Sequence, residues 1–199
     1  SNNMDQACIQ TPLGTALITG SEAGITHVTI GDGRLERDLI PSSLSLVCKQ
    51  VNAYFEGHLK QFDIPLLPEG TEFQKKVWKA LMEIPFGSTV SYGELATRLG
   101  NPGAVRAVAA ANALNPIWIL IPCHRLLGTR GNLVGFAGGT DLKARLLRLE
   151  GSRHAGQDVL VGGVGGNLGE VVRQRVGRRG RVEHYDAHAS GSRAGDARS

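Results

Sequence analysis

The sequence predicts an α+β protein in two units, strands with one helix first and a series of short helices after them. Three patterns carry this prediction. Apolar and polar positions alternate over Ile25 to Ile30, as in a half-buried strand. Leu44, Val47, Cys48, Val51 and Phe55 share one helical face. Beyond residue 70, helix-start and helix-stop residues recur at short intervals.

The elements follow in order. Ile9-Gln10-Thr11-Pro12-Leu13-Gly14 reads as a strand entering a turn, and Ala16 to Thr19 as the next strand. A turn over Gly20 to Gly24 then leads into Ile25–Ile30, so residues 7–31 form a β meander. Cys48 on the following helix is most simply a buried apolar residue. Leu59 to Gly70, with two prolines, reads as a linker closing an N-terminal domain over residues 4–70. Thr71-x-x-Gln74 has the form of a capping box, and Phe73, Val77, Leu81 and Ile84 make one apolar stripe behind it. Ser91-x-x-Glu94 is a second such box, opening a short helix that Gly100 ends. Asn101-Pro102 supplies a cap and a first-turn proline, so the next helix is expected from about Pro102 to Ala113. These two helices with a tight turn between them suit a helix-turn-helix. Gly103, Ala104, Ala107, Ala109, Ala110, Ala111 and Ala113 are all small. They suit close approach to a nucleic-acid backbone, or equally tight packing in a bundle. Arg106 is the cation in the middle of that helix. An apolar run, Ile117 to Ile121, precedes Pro122, and Leu127 to Gly139 is a glycine-rich loop. Asp141 to Glu150 is a last amphipathic helix, with Gly151 as its C-terminal cap. Residues 71–151 thus form the second unit.

Residues 152–199 hold 10 Gly and 8 Arg and no Phe, Trp, Ile or Met, which reads as a flexible tail, perhaps not native. The three residues ahead of Met4 read as a cloning remnant. The start of the chain is polar and has no signal-peptide core, and no apolar run is long enough to span a membrane. Three scattered cysteines argue for a reducing compartment, cytoplasmic or nuclear, rather than for a disulfide framework. Net charge is −4 over residues 1–70, +5 over 71–151 and +3 over 152–199. An acidic half beside a basic half suits a one-sided polyanion binder, or plain scatter of surface charge.

Chemistry centres on Ile121-Pro122-Cys123-His124-Arg125. A thiol is a poor nucleophile until it loses its proton. An adjacent imidazole can accept that proton directly or through one water, and a neighbouring arginine favours the anion. The same residues also suit a structural cysteine behind a buried strand.

Further motifs accompany this segment. Phe86-Gly87, Ser91-Tyr92-Gly93-Glu94-Leu95-Ala96 and Arg106-Ala107-Val108 lie upstream, with Asn115-Pro116 just before it. Gly135-Phe136-Ala137-Gly138-Gly139 and Leu149-Glu150-Gly151 follow. The set resembles the O6-alkylguanine-DNA alkyltransferase family over residues 7–151, most strongly over 72–151. The resemblance implies a ribonuclease-H-like α/β domain followed by a winged-helix-like DNA-binding domain. It implies single-turnover transfer of an alkyl group from O6-alkylguanine, and O4-alkylthymine, in double-stranded DNA to Cys123, after base flipping. No cofactor is needed, and a monomer is expected. On this resemblance His124 is the base, Glu150 orients it, and Asn115 braces the active-site turn. Tyr92 stands by the target nucleotide. Arg106 fills the gap in the base stack, with Ala104, Ala107 and Arg125 also on the DNA side. Leu126, Phe136, Ala137 and Gly138 form the guanine pocket. Phe136 stands where many relatives have tyrosine. An arginine common before the Asn-Pro pair is missing from Asn112-Ala113-Leu114. Ser21 occupies the place of a zinc-ligating cysteine found in some relatives, so no metal is expected. Competing readings are a lesson in turnover: a lesion binder without chemistry, an alkylation-sensing helix-turn-helix regulator, and a thiol hydrolase that releases its product.

Overall fold

The computed structural model describes residues 4–32, 39–128, 131–133 and 136–152, and the backbone of three short strands beyond them. An antiparallel meander of β1 (Asp5–Thr11), β2 (Gly14–Ser21) and β3 (Gly24–Gly31) comes first. Its alternation turns Ala16, Ile18, Ile25 and Val28 inward. Helix α1 (Ser45–Phe55) buries Val47, Cys48, Val51, Tyr54 and Phe55. It ends in a Schellman cap: Gly57, at φ 82°, donates to the Tyr54 carbonyl, and His58 donates to that of Ala53.

The stretch expected as a linker is part of the core. Phe62, Ile64 and Leu66 pack inward at every second position. The backbone of Ile25 exchanges hydrogen bonds with Pro65 and Leu67. Helix α2 (Glu72–Leu81) opens with the complete capping box, Thr71 and Gln74 each satisfying the other's backbone N–H. At α3 (Tyr92–Arg98) only half of the second box forms. Ser91 Oγ accepts from the Glu94 N–H, while the Glu94 carboxylate pairs with Arg98 at 3.1 Å.

Helix α4 (Val105–Ala113) begins later than expected, with Ala104 rather than Asn101 at its start. The cause is the end of α3. Gly100 adopts φ 83°, and the Asn101 N–H is committed to the Ala96 carbonyl, so Asn101 closes one helix instead of opening the next. Two short parallel strands, β4 (Val90–Ser91) and β5 (Leu126–Leu127), tie the start of α3 to the chain leaving Cys123. Helix α5 (Thr140–Leu149) completes the unit.

Both units share one core, and their backbones join. The Val28 N–H donates to Pro116, and the Trp118 N–H donates to Val28. Beyond residue 152 the reading was a flexible tail. There β6 (Asp158–Val159), β7 (Val172–Val176) and β8 (Val182–Asp186) pair antiparallel, with Arg175 opposite Glu183. The valines that begin and end β7 suit a strand, which glycine and arginine counts alone do not register. The rest of the tail, and Gly135 of the glycine-rich motif, lie outside the described residues.

Candidate active site

Cys123 opens a single 3-10 turn, Cys123–Arg125, and is almost wholly buried. The apolar run before it is not a strand. Ile119 takes φ 73°, a conformation that crowds a β-branched side chain, at a cost of about 1–3 kcal/mol. Burying the same side chain contributes about 1.5–3 kcal/mol, which offsets the strain. Asn115 holds the bend at two points. Its Nδ2 donates to the Ile121 carbonyl and its Oδ1 accepts from the Ile117 N–H, both at 2.9 Å.

Behind the thiol lies a saturated carboxylate. Glu150 caps α5, where Gly151, at φ 75°, and Ser152 close a Schellman motif on Arg148 and Leu147. Its Oε2 accepts from Tyr54 Oη at 2.6 Å, His124 Nε2 at 2.7 Å and Arg125 Nη2 at 2.9 Å. Its Oε1 accepts from Arg125 Nε at 2.8 Å. Burial favours the protonated acid, but His124 and Arg125 outweigh it and hold the carboxyl well below the usual range. The charged carboxylate therefore takes the Nε2 proton of His124. That leaves Nδ1 of the neutral ring as a lone pair, buried and without a hydrogen-bond partner among the described residues.

Arg125 was expected on the DNA side and beside the sulfur; its position corrects this. It is 6% exposed, forks onto Glu150 and donates Nη1 to the Ile84 carbonyl at 2.6 Å. It also stacks over Phe86. A planar five-donor group suits this buried task, and it has no donor to spare for a phosphate. The cation that bears on the sulfur is Lys143, fully buried in α5 with Nζ on the Leu126 carbonyl. Burial pushes the Cys123 thiol up to about 11; a hydrogen bond from Asn115 and the Lys143 charge oppose this. Burial likewise draws Lys143 down to about 8. The resting nucleophile is a neutral thiol, not the thiolate that an adjacent imidazole and guanidinium suggest.

Tyr92, at the start of α3, is buried. Desolvation raises its phenol, a hydrogen bond with Asn112 lowers it, and the nearby Cys123 raises it. Asn112 also donates to the Cys123 carbonyl at 3.3 Å, so α4 reaches the thiol's own peptide. The indole of Trp78 holds the Ala111 carbonyl at 2.9 Å. On the other side of α4, Arg106, Ala107 and Ala110 are exposed, with Gly103 just ahead, and Ala104 is half-buried. The small residues thus serve both expected ends: Ala111 packs inward, and the others leave a smooth outer face with one cation.

Leu126 is buried in β5, Phe136 is buried against Trp118 with ring centroids 5.4 Å apart, and Ala137 is exposed. Gly138 admits no side chain: a Cβ there would stand 2.7 Å from the Phe136 ring and 2.8 Å from Leu142. A cleft of about 650 Å³, walled by Phe62, Ile64, Met82, Phe86 and Arg125, includes neither Cys123 nor these pocket residues. Tyr54, Asn112 and Lys143 are functional neighbours that sequence reasoning passed over. Each is a polar residue on the inward side of its helix, where a buried polar tip needs a partner.

Two family models match the chain. One is described as "6-O-methylguanine DNA methyltransferase, ribonuclease-like domain" over residues 4–68, the other as "6-O-methylguanine DNA methyltransferase, DNA binding domain" over residues 72–152. A methylated-DNA--protein-cysteine methyltransferase of Methanosarcina acetivorans is 47% identical over 156 residues, covering 75% of this chain and 99% of that protein. One of Mycobacterium tuberculosis is 45% identical over 150 residues, covering 73% and 91%. The crystal structure of the O6-methylguanine methyltransferase of M. tuberculosis aligns with a TM-score of 0.68 at 42% identity, covering 75% of this chain and 93% of that one. A structure of the M. tuberculosis protein in complex with DNA aligns at 0.64 and 43% identity, covering 73% and 92%.

Proposed function

Because the chain belongs to the 6-O-methylguanine DNA methyltransferase family, we propose that it repairs DNA by moving an alkyl group from O6 of guanine irreversibly onto Cys123. The observation that carries this reading is the line of groups from Glu150 through His124 to a buried cysteine. At a thiol value near 11, only about one molecule in ten thousand holds a thiolate at neutral pH. Proton removal therefore accompanies the reaction instead of preceding it. His124 Nδ1 accepts the Sγ proton, directly or across one water. The sulfur attacks the alkyl carbon in line, the carbon–O6 bond breaks, and guanine leaves with the electron pair. Tyr92, kept protonated by burial, is placed to return a proton to the departing base. The thioether has no leaving group, so each molecule acts once and needs no cofactor.

A thiol this deep cannot reach a base inside a duplex, so the base must be flipped out, at a cost of a few kcal/mol. The smooth face of α4 suits the minor groove, with Arg106 as the side chain entering the stack. Leu126, Phe136, Ala137 and Gly138 wall the guanine site. Residues 4–70 and 71–151 are the two domains of a monomeric repair unit, residues 152–199 stand outside it, and a reducing cytoplasm suits its free cysteines. Duplex DNA bearing labelled O6-methylguanine tests this. One label per molecule, on Cys123 and lost in Cys123→Ala, is expected. Repeated turnover, or labelling that survives the substitution, overturns the reading.

A further inference from the structure

We propose that Tyr54 is a positioning residue of the transfer reaction: its phenol, supplied by the first domain, holds Glu150 so that His124 presents Nδ1 to the thiol. The inference rests on the function just given. Tyr54 lies on α1, 96 residues from Glu150 in sequence, and its Oη donates to Oε2 at 2.6 Å. It is 1% exposed, and its ring is packed by Phe55, Phe62 and Phe86 at centroid distances of 5.2, 5.5 and 6.1 Å. That packing leaves the hydroxyl little freedom to turn elsewhere. The ring is held by the first domain and the carboxylate by the end of α5. One hydrogen bond therefore ties the relay to a domain that carries no other part of it.

The bond also sets how strongly Glu150 acts on the imidazole. Tyr54 and His124 share the same carboxylate oxygen. Each donor to that oxygen draws charge from it, so the phenol weakens the pull of Glu150 on the Nε2 proton. Without it the carboxylate favours imidazolium more strongly, and a protonated His124 cannot accept the thiol proton. The ionisable groups around the relay are Glu150 and Lys143 on α5, Cys123 and Arg125 in the turn, and Tyr54 on α1. Of these, Tyr54 alone can lose its polar atom with no change of charge and little change of shape.

Tyr54→Phe in the full chain tests the proposal. Reaction with free O6-benzylguanine, where no base has to be flipped, is followed across pH. Nitrogen-15 NMR of the histidines reports the ring of His124 independently of transfer. The rate at neutral pH should fall about 10-fold, the lower end of what loss of a partner behind a working histidine produces. The acidic limb of the profile should move up by about one pH unit, the scale of a single hydrogen bond to a charged group. The His124 titration should move with it. A parent rate with an unmoved limb overturns the proposal, as does a loss that only tracks the unfolded fraction. If the variant does not fold, the parent decides: a slowly exchanging Tyr54 hydroxyl proton close to Glu150 supports the role, and rapid exchange overturns it. A parent that transfers nothing overturns the function itself, and the His124 titration still decides for or against Tyr54.

Discussion

Replacing Arg125 with methionine separates a buried structural charge from a DNA contact. In the structure the guanidinium makes two hydrogen bonds to Glu150 and one to the Ile84 carbonyl. Methionine keeps most of the length and removes every donor. Oε1 of Glu150 is left with none, and Oε2 keeps Tyr54 and His124. Removing one partner of a buried pair costs about 3–5 kcal/mol. That is a large part of the roughly 5–15 kcal/mol that holds an ordinary domain together. Urea denaturation at neutral pH should show the loss, and Glu150→Gln in the same background should recover part of it by removing the stranded charge. The pH dependence has a definite sign. The folded-state value of Glu150 is depressed, so its stabilisation is present above the ordinary carboxylate value and fades as pH falls below it. Without Arg125 the depression shrinks, so parent and variant should converge below about pH 4.5. The salt dependence of DNA binding, measured on folded protein, should not change. A stability within about 1 kcal/mol of the parent, together with a salt slope reduced by about one, would refute the assignment and return Arg125 to the DNA face.

Two further outcomes are expected. Arg106→Ala should slow repair of duplex DNA at least about tenfold, the weight of one extruded base being a few kcal/mol, and leave reaction with free O6-benzylguanine nearly unchanged; equal losses on both would remove Arg106 from the stack-filling role. The Cys123 thiol of free protein should react with iodoacetamide at a rate that climbs with pH toward about 11, since its thiolate forms only there; a plateau near neutral pH would show a resting thiolate instead.

Local signals were legible wherever the physics is local. The meander, the capping box at Thr71 and the glycines that end α1, α3 and α5 depend on residues within a few positions of one another. The start of α4 was misjudged because Asn101 could cap either of two helices, and its N–H serves the earlier one. Phe62-x-Ile64-x-Leu66 alternates plainly, yet its prolines drew the reading toward a linker. At the site, Cys123, His124, Asn115 and Glu150 were selected through their order along the chain, and the structure brings His124 and Glu150 into contact. Arg125 was misassigned because adjacency does not reveal where a side chain points. Tyr54 and Lys143 meet their partners 96 and 17 residues away, separations at which no spacing rule operates.

The backbone join between Val28 and the chain from Pro116 to Trp118 has a consequence for how the molecule comes apart. The two family regions are separate stretches of sequence, 4–68 and 72–152. In the fold, the third strand of one is hydrogen-bonded to the segment that delivers the other's cysteine. If the first region opened alone, it would strip Pro116 and Trp118 of backbone partners and expose the apolar surface beneath them. Intermediates with one region folded are therefore costly, and heat or denaturant should melt residues 4–152 in a single transition. The same join limits exchange of modules between relatives. A transplanted first region must bring a strand that fits this segment, or the graft disturbs the thiol from a distance.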